Sequence, residues 1–476
     1  MIPLSIAEVS EIVGATADRV ADQAAIVTGP VVIDSRQARP GSLFAALPGT
    51  RADGHDFAAD AVAAGAVAVL ATRPVGVPAL IVPDVLAALA ALARAVVGRL
   101  QGGLGGSSPR GQAPPGLTIA AITGSAGKTT TKDLAAQLVE SLGPTVSPKN
   151  SYNNEQGHPL TVLRLTAETR YLVAEMSARG PGHIAELCRI SPPRLGVVLC
   201  VGHAHAGVFG SIDDVARAKA ELPEALPPDG VAVLNADDPR VAAMAGRTAA
   251  RVVTFGRGPG ADYRAAGVAV DEAGRPGFTL VTGAGSAPVQ LRLHGEHNVA
   301  NALAAAALAS QLGLDVAGIA AGLSAASARS RWRMEVTRRP DGVTVVNDAY
   351  NANPEAVRAA LSAVAAMAGG GRAFAVLGYM TELGDQAEEL HEEAGRQAAR
   401  AGLAGLIVVG DPATPILTGA KAEPSWRGEL LQVPDAEAAV AAVGRLVRPG
   451  DVVLVKASRA ANLQRVALAL TGEQPL

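Results

Sequence analysis

The chain is poor in aromatic residues and in cysteine. Phe, Trp and Tyr make up 3% of its 476 residues against 49% apolar residues overall, so its cores must be built mainly from Ala, Val and Leu. Cys188 and Cys200 are its two cysteines, without metal-type spacing, which predicts buried reduced thiols. No uninterrupted apolar run reaches the roughly 18 residues that span a bilayer. Residues 1–10 lack both the basic region and the cleavable apolar core of an export signal. The formal net charge is −3 with acids and bases interspersed, so the clustered Lys and Arg that nucleic-acid phosphates require are missing. These absences predict a cytoplasmic protein that neither enters a membrane nor binds nucleic acid.

What is present points to an α/β protein of three domains, since roughly 100–200 residues per domain is the usual range. Residues 1–100 mix short β-like runs (Val31–Ile33, Ala66–Leu70, Ala79–Val82) with Ala-rich helical stretches. Residues 101–116 are dense in Gly, Ser and Pro and read as a flexible linker. Residues 117–328 alternate strand and helix, as a parallel sheet with helices on its faces requires. Buried strands are expected at Leu117–Ile122, Tyr171–Glu175 and Leu195–Val201. Leu134, Leu138 and Leu142 recur at helical spacing after the first. Short strands with Gly turns between Asp262 and Leu293 suggest β hairpins beside that sheet, and a helix is expected over Asn298–Leu312. Residues 329–476 form a third α/β unit with strands at Val343–Val346, Ala373–Leu377, Leu406–Val409 and Val452–Val455.

Between the first strand and helix of the middle unit runs Thr123-Gly124-Ser125-Ala126-Gly127-Lys128-Thr129-Thr130. A glycine-bearing loop there lets backbone N–H groups close on phosphate oxygens, and the helix N-terminus adds positive potential. Lys128 can reach the outer phosphates, and the hydroxyl of Thr129 or Thr130 can coordinate Mg²⁺. Ile122 stands where the common phosphate-loop spacing has its first Gly, so a plain strand–turn–helix corner is the competing interpretation. By itself the loop says only that a nucleotide binds. Glu175 ends the strand Tyr171–Ala174 at the carboxyl edge of the same sheet, where a carboxylate can hold a Mg²⁺ bridging ATP phosphates. His203 and His205 follow the next strand, and Lys219 lies on a helical stretch over Asp213–Leu226. Exposed loop histidines and a solvated lysine are the plainer assignments. Arg333, Asp348, Asn351, Asn353 and Lys456 fall near expected strand ends.

In order and spacing, several segments resemble the ATP-dependent muramyl ligases of bacterial cell-wall synthesis. They are the phosphate loop, Tyr152-Asn153-Asn154-Glu155, His205 with Lys219, His297-Asn298-Val299-Ala300-Asn301, Arg333-Met334-Glu335 and Asn347-Asp348-Ala349-Tyr350-Asn351-Ala352-Asn353-Pro354. The last resembles the members that add D-alanyl-D-alanine to a UDP-N-acetylmuramoyl-tripeptide. The resemblance implies a central phosphate-loop sheet, a Rossmann-like C-terminal domain, a monomer, and ligation through an acyl phosphate with ATP and Mg²⁺. Lys128 and Arg333 would then contact the transferring phosphoryl group, and Thr129, Glu175 and His205 would help bind Mg²⁺. Asn301 would meet the adenine and Asp348 the ribose. Lys219 matches a position that relatives carbamylate, which would turn the cation into an anion able to ligate a second Mg²⁺, the alternative being a lysine paired directly with phosphate. Ser35, Arg36, Phe44, Asp53, Gly54 and His55 resemble segments that hold the UDP-sugar. Asn153, Asn154, Tyr350, Asn351 and Asn353 would face the peptide substrates. Glu382-Leu383-Gly384, His391 and Lys456-Ala457-Ser458-Arg459 would face the dipeptide and acyl phosphate. Trp332, Ala220, Ala457 and Tyr379 depart from common family choices. The nearest alternative within this superfamily is a ligase for a single amino acid or for folate. Outside it, the alternative is a phosphate-loop ATPase that changes shape around a partner.

Overall fold

A computed structural model describes residues 1–49, 52–102, 116–202 and 206–473. Three larger sheets organise it, with a small antiparallel pair (Leu4–Ser5 with Ile26–Val27) at the N-terminus. No helix among the described residues is long and apolar enough to cross a membrane.

The first sheet has five strands in the order Thr16–Asp18, Ala79–Ile81, Ala66–Ala71, Ser42–Ala45, Val31–Val32. Asp84 accepts from the backbone N–H groups of Leu86 and Ala87 and so starts the long helix Val85–Gln101. That helix continues into the stretch expected to be linker; residues 103–115 lie outside the described residues. Leu89, Leu92 and Val96 share one apolar core with Leu160, Leu163 and Leu187 of the middle unit. The first two units are thereby packed together.

The central sheet has nine strands. Its strand Thr118–Thr123 lies between Tyr171–Glu175 and Leu195–Val198, and all three run parallel. Parallel pairing continues through Val231–Asn235 and Arg251–Gly256 to Tyr263–Val270. The expected hairpins (Pro276–Thr282 and Gly285–Gln290) then extend the sheet edge antiparallel. The helix after the phosphate loop ends at Val139, so Leu134 and Leu138 are buried while Leu142 lies beyond it. Facing it is Asn298–Gln311, a run of Ala and Leu that is buried along nearly its whole length. Small side chains allow that close approach, which is where the scarcity of aromatics is felt.

The third sheet has six strands in the order Glu335–Arg338, Thr344–Asn347, Val452–Lys456, Ala373–Leu377, Gly405–Val409, Glu429–Val433. All neighbours are parallel except the first pair. Its cores are separate from those of the other two units. The connection into it is fastened to the phosphate-loop helix up to Ser330. Gln137 donates to Ser327 O at 3.0 Å, Arg329 pairs with Glu140, and Ser330 N donates to Asp133 Oδ2 at 3.0 Å.

Candidate functional site

The carboxyl edges of the central and C-terminal sheets face each other across a cleft of about 1190 Å³. The phosphate loop forms its floor. Gly127, at φ +81°, opens the helix Lys128–Val139, and a Cβ there would strike Asn301 Oδ1. Gly124 lies against Leu199, so the loop is pressed on the next strand. Cys200 holds it in place, its carbonyl accepting from Ser125 N at 2.9 Å and its Sγ from Ala126 N at 3.3 Å. Cys200 therefore lines the cleft half-buried, whereas Cys188 is buried as expected.

Lys128 Nζ donates to Gly124 O at 2.7 Å, folded back over its own loop. Burial lowers its pKa, and Glu175 opposes that shift. Thr129 Oγ1 stands 2.9 Å from Ser151 Oγ and donates to Glu175 Oε1 at 3.2 Å. Asn153 Nδ2 donates to the same Oε1 at 2.6 Å. Glu175 Oε2 and Thr123 Oγ1, from adjacent strands, are buried without a hydrogen-bond partner among the described residues. A buried carboxylate oxygen left unsatisfied beside a phosphate loop fits a hard cation. Thr129 and Glu175 thus suit Mg²⁺; His205, named with them from the sequence, lies outside the described residues.

Lys219 is not solvated. It is 1% exposed on the helix Ile212–Glu224, with no hydrogen bond or ion pair to its ammonium among the described residues. Burial, with Lys128 adding to it, pushes its pKa down to about 7. Asn301 donates to Asn298 Oδ1 at 2.9 Å and accepts from Thr131, which fixes its amide at the cleft wall. Asn154 accepts from Gly157 N at 2.9 Å, fastening the loop that carries Asn153.

The opposite wall comes from the C-terminal unit. Arg333 donates to Ser151 Oγ at 2.8 Å and lies 4.4 Å from the ring centre of Tyr350. Asp348 accepts from Lys456 Nζ at 2.6 Å and from Met334 N at 3.1 Å. Lys456 also donates to Asn351 O at 2.9 Å. Asn353 caps the helix Pro354–Met367 and donates to Ser125 O at 3.2 Å, so a C-terminal side chain touches the phosphate loop directly. Gly207 N donates to Glu382 O, and Arg179 lies 3.6 Å from Glu382, which closes the other side.

The N-terminal candidates stand apart from the cleft lining. Arg36 pairs with Asp34 beside Ser35, and its side chain is 87% exposed. His55 is buried, held by Asp53 at 2.6 Å and by Thr72. The His55 contacts hold the Asp53 carboxyl down at about 2. A Cβ on Gly54 would meet Leu47 backbone at 2.7 Å. Phe44, matched with them to the UDP-sugar segments, is 1% exposed among Val32, Ala46 and Val69. Its alternation in the strand Ser42–Ala45 explains this, because both faces of that strand are covered. The sequence reading missed Ser151, which links Thr129 to Arg333; its place just before Tyr152-Asn153-Asn154 was the available signal.

Residues 30–96 match the Mur ligase family catalytic domain, 122–309 the Mur ligase middle domain, and 332–459 the Mur ligase glutamate ligase domain. The chain belongs to the Mur ligase family. This Mur ligase is 49% identical to the UDP-N-acetylmuramoyl-tripeptide–D-alanyl-D-alanine ligase of Mycobacterium tuberculosis, over 99% of this chain and 98% of the relative. It is 36% identical to the enzyme of that name from Escherichia coli, over 94% of each. Among solved structures it resembles MurF from Acinetobacter baumannii, with a TM-score of 0.85 and 29% identity over 99% of each chain. It also resembles MurF ligase from Thermotoga maritima in complex with ADP, with a TM-score of 0.77 and 30% identity over 94% of this chain and 98% of that one.

Proposed function

We infer that this Mur ligase joins D-alanyl-D-alanine to a UDP-N-acetylmuramoyl-tripeptide at the expense of ATP, in peptidoglycan precursor synthesis. Near-full-length likeness to enzymes of that name supports this reading. The observation that carries it is the meeting of the phosphate loop with Arg333, Tyr350 and Asn353 across one cleft. A cytoplasmic location is part of the same proposal, because the UDP-linked substrate and ATP are soluble.

The chemistry asks for positioning and charge neutralisation rather than a protein nucleophile. Loop N–H groups over Gly124–Thr129 and the helix N-terminus bind the nucleotide phosphates, and Lys128 leaves Gly124 O to reach the outermost. Arg333 neutralises the charge that grows as a tripeptide carboxylate oxygen attacks the γ-phosphorus and ADP departs. The dipeptide amine then attacks the acyl carbon, gives up a proton, and inorganic phosphate leaves. Thr129 and Glu175 would hold Mg²⁺, which would supply charge neutralisation to the nucleotide phosphates. Asn301 at the cleft wall suits the adenine, and Asp348, fixed by Lys456, suits the ribose. Lys219, buried with a lowered pKa, suits carbamylation, since the neutral amine is the form that bonds CO₂. Ser35, Arg36, Phe44, Asp53, Gly54 and His55 are assigned to the UDP-sugar, and Asn153, Asn154, Tyr350, Asn351 and Asn353 to the peptide substrates.

The test is ADP release with UDP-tripeptide plus D-alanyl-D-alanine against single amino acids, run with both the diaminopimelate- and lysine-containing tripeptides. Turnover that needs a single amino acid and ignores the dipeptide overturns the reading.

A further inference from the structure

The acceptor dipeptide carries two charged ends, and its amine must stay unpaired to attack. Its carboxylate is therefore the handle by which the protein can orient it. Most cations lining the cleft are already committed: Lys128 to its own loop, Arg333 to Ser151, Lys456 to Asp348, Arg179 to Glu382. Arg292 and Arg358 line it too, but no ring or hydrogen bond among the described residues fixes either.

Arg459 differs from all of these. It lines the cleft with no carboxylate partner among the described residues, yet it is held: its guanidinium lies 4.3 Å from the ring centre of Trp332 and 5.8 Å from that of Tyr350. Aromatic faces fix a guanidinium while leaving its N–H edge open for a bidentate carboxylate. Trp332 and Tyr350 act as one piece, because Tyr350 N donates to Trp332 O at 3.2 Å. Trp332 sits at φ +60° and Met334 at φ +49°, left-handed conformations that cost a non-glycine residue energy. Trp332 N donates to Glu335 Oε2 at 2.9 Å, which holds the backbone in that conformation.

We propose that Arg459, held against the rings of Trp332 and Tyr350, receives the carboxylate of the acceptor dipeptide, with Trp332 as its positioning residue. The proposal rests on the dipeptide-ligase reading above. It makes the far end of the acceptor, and not only its amine, a determinant of specificity.

The experiment compares D-alanyl-D-alanine with its C-terminal amide in wild type, Arg459→Met, Arg459→Lys, Trp332→Gly and Trp332→Phe. Arg459 is exposed, and glycine readily adopts the Trp332 backbone conformation, so these variants are expected to fold. Arg459→Met should raise KM for the dipeptide by roughly 100-fold, leave KM for ATP and UDP-tripeptide within about twofold, and abolish the preference for carboxylate over amide. Arg459→Lys should fall between, since an ammonium cannot form the paired bonds. Trp332→Gly should raise the dipeptide KM by about tenfold, and Trp332→Phe should restore most of it. A rise in KM for ATP instead, or a carboxylate preference unchanged in Arg459→Met, overturns the proposal. Wild type that ignores the dipeptide altogether overturns the ligase reading beneath it; wild-type turnover with an unshifted Arg459→Met overturns this assignment alone.

Discussion

Arg333 Nη2 stands 2.8 Å from Ser151 Oγ, and the two side chains come from loops of different units, the C-terminal and the middle. Ser151 Oγ is in turn 2.9 Å from Thr129 Oγ1, so the C-terminal guanidinium is tied through one hydroxyl to the phosphate loop. Ser151→Ala removes this bridge without opening a cavity. A hydrogen bond to a charged group contributes about 1.5–3 kcal/mol, so kcat should fall by roughly 10- to 100-fold. Steady-state kinetics at saturating substrates measures it, and an unchanged kcat would show that Arg333 is placed by Tyr350 alone.

Lys128 is the cation nearest the phosphate path, held at 2.7 Å by Gly124 O. Lys128→Ala should lower ligation by about a thousandfold or more, because positioned charge is the main catalytic resource in phosphoryl transfer. Product formation followed by chromatography decides it; turnover within tenfold of wild type contradicts the assignment.

Glu175 should set the Mg²⁺ requirement. Glu175→Gln keeps an oxygen for Asn153 and Thr129 but removes the charge, so half-maximal activity should need roughly tenfold more Mg²⁺. A titration curve that superimposes on wild type would place the cation elsewhere.

Lys219 has its pKa lowered to about 7, so its neutral amine becomes abundant only above that pH. Protonated amine cannot bond CO₂. Activity in CO₂-depleted buffer should therefore fall and return on adding bicarbonate, more readily at pH 8 than at pH 6. Lys219→Ala should regain part of its activity with short carboxylic acids. The absence of both effects favours a lysine that meets phosphate directly.

His158 predicts a pH dependence of stability instead. It is fully buried against Ser191, its Nδ1 lacks a partner among the described residues, and burial pushes its pKa down to about 4. Between the ordinary value near 6.5 and about 4, the unfolded chain binds the proton and the folded chain does not. Stability from this residue is thus present above about pH 6.5 and declines by about 3 kcal/mol as pH falls to about 4. Urea unfolding from pH 7 to 4.5 should show a shallower decline for His158→Gln than for wild type.

Much of the frame was legible in order along the chain. The strands Tyr171–Glu175 and Ala373–Leu377 end where their apolar runs end, and the phosphate loop lies between strand and helix as its residue pattern requires. These features are local: hydrophobic runs, turn glycines and capping residues act over a few positions. The same locality explains an error: helical spacing carried Leu142 past the end of the helix at Val139.

The sequence by itself determined the α/β class, the phosphate loop and, through motif order, the kinship to muramyl ligases. Only the tertiary structure decided which distant residues share a dielectric and a hydrogen-bond network. Lys219 is lysine on an amphipathic helix until packing removes its water and lowers its pKa. Ser151 and Arg333 are 182 positions apart and become a pair only when the two sheets face each other. Arg459 and Trp332 join across the same chain separation problem, where ring faces rather than acids hold the cation. Burial and long-range juxtaposition are properties of the packed chain as a whole, so no window along the sequence contains them.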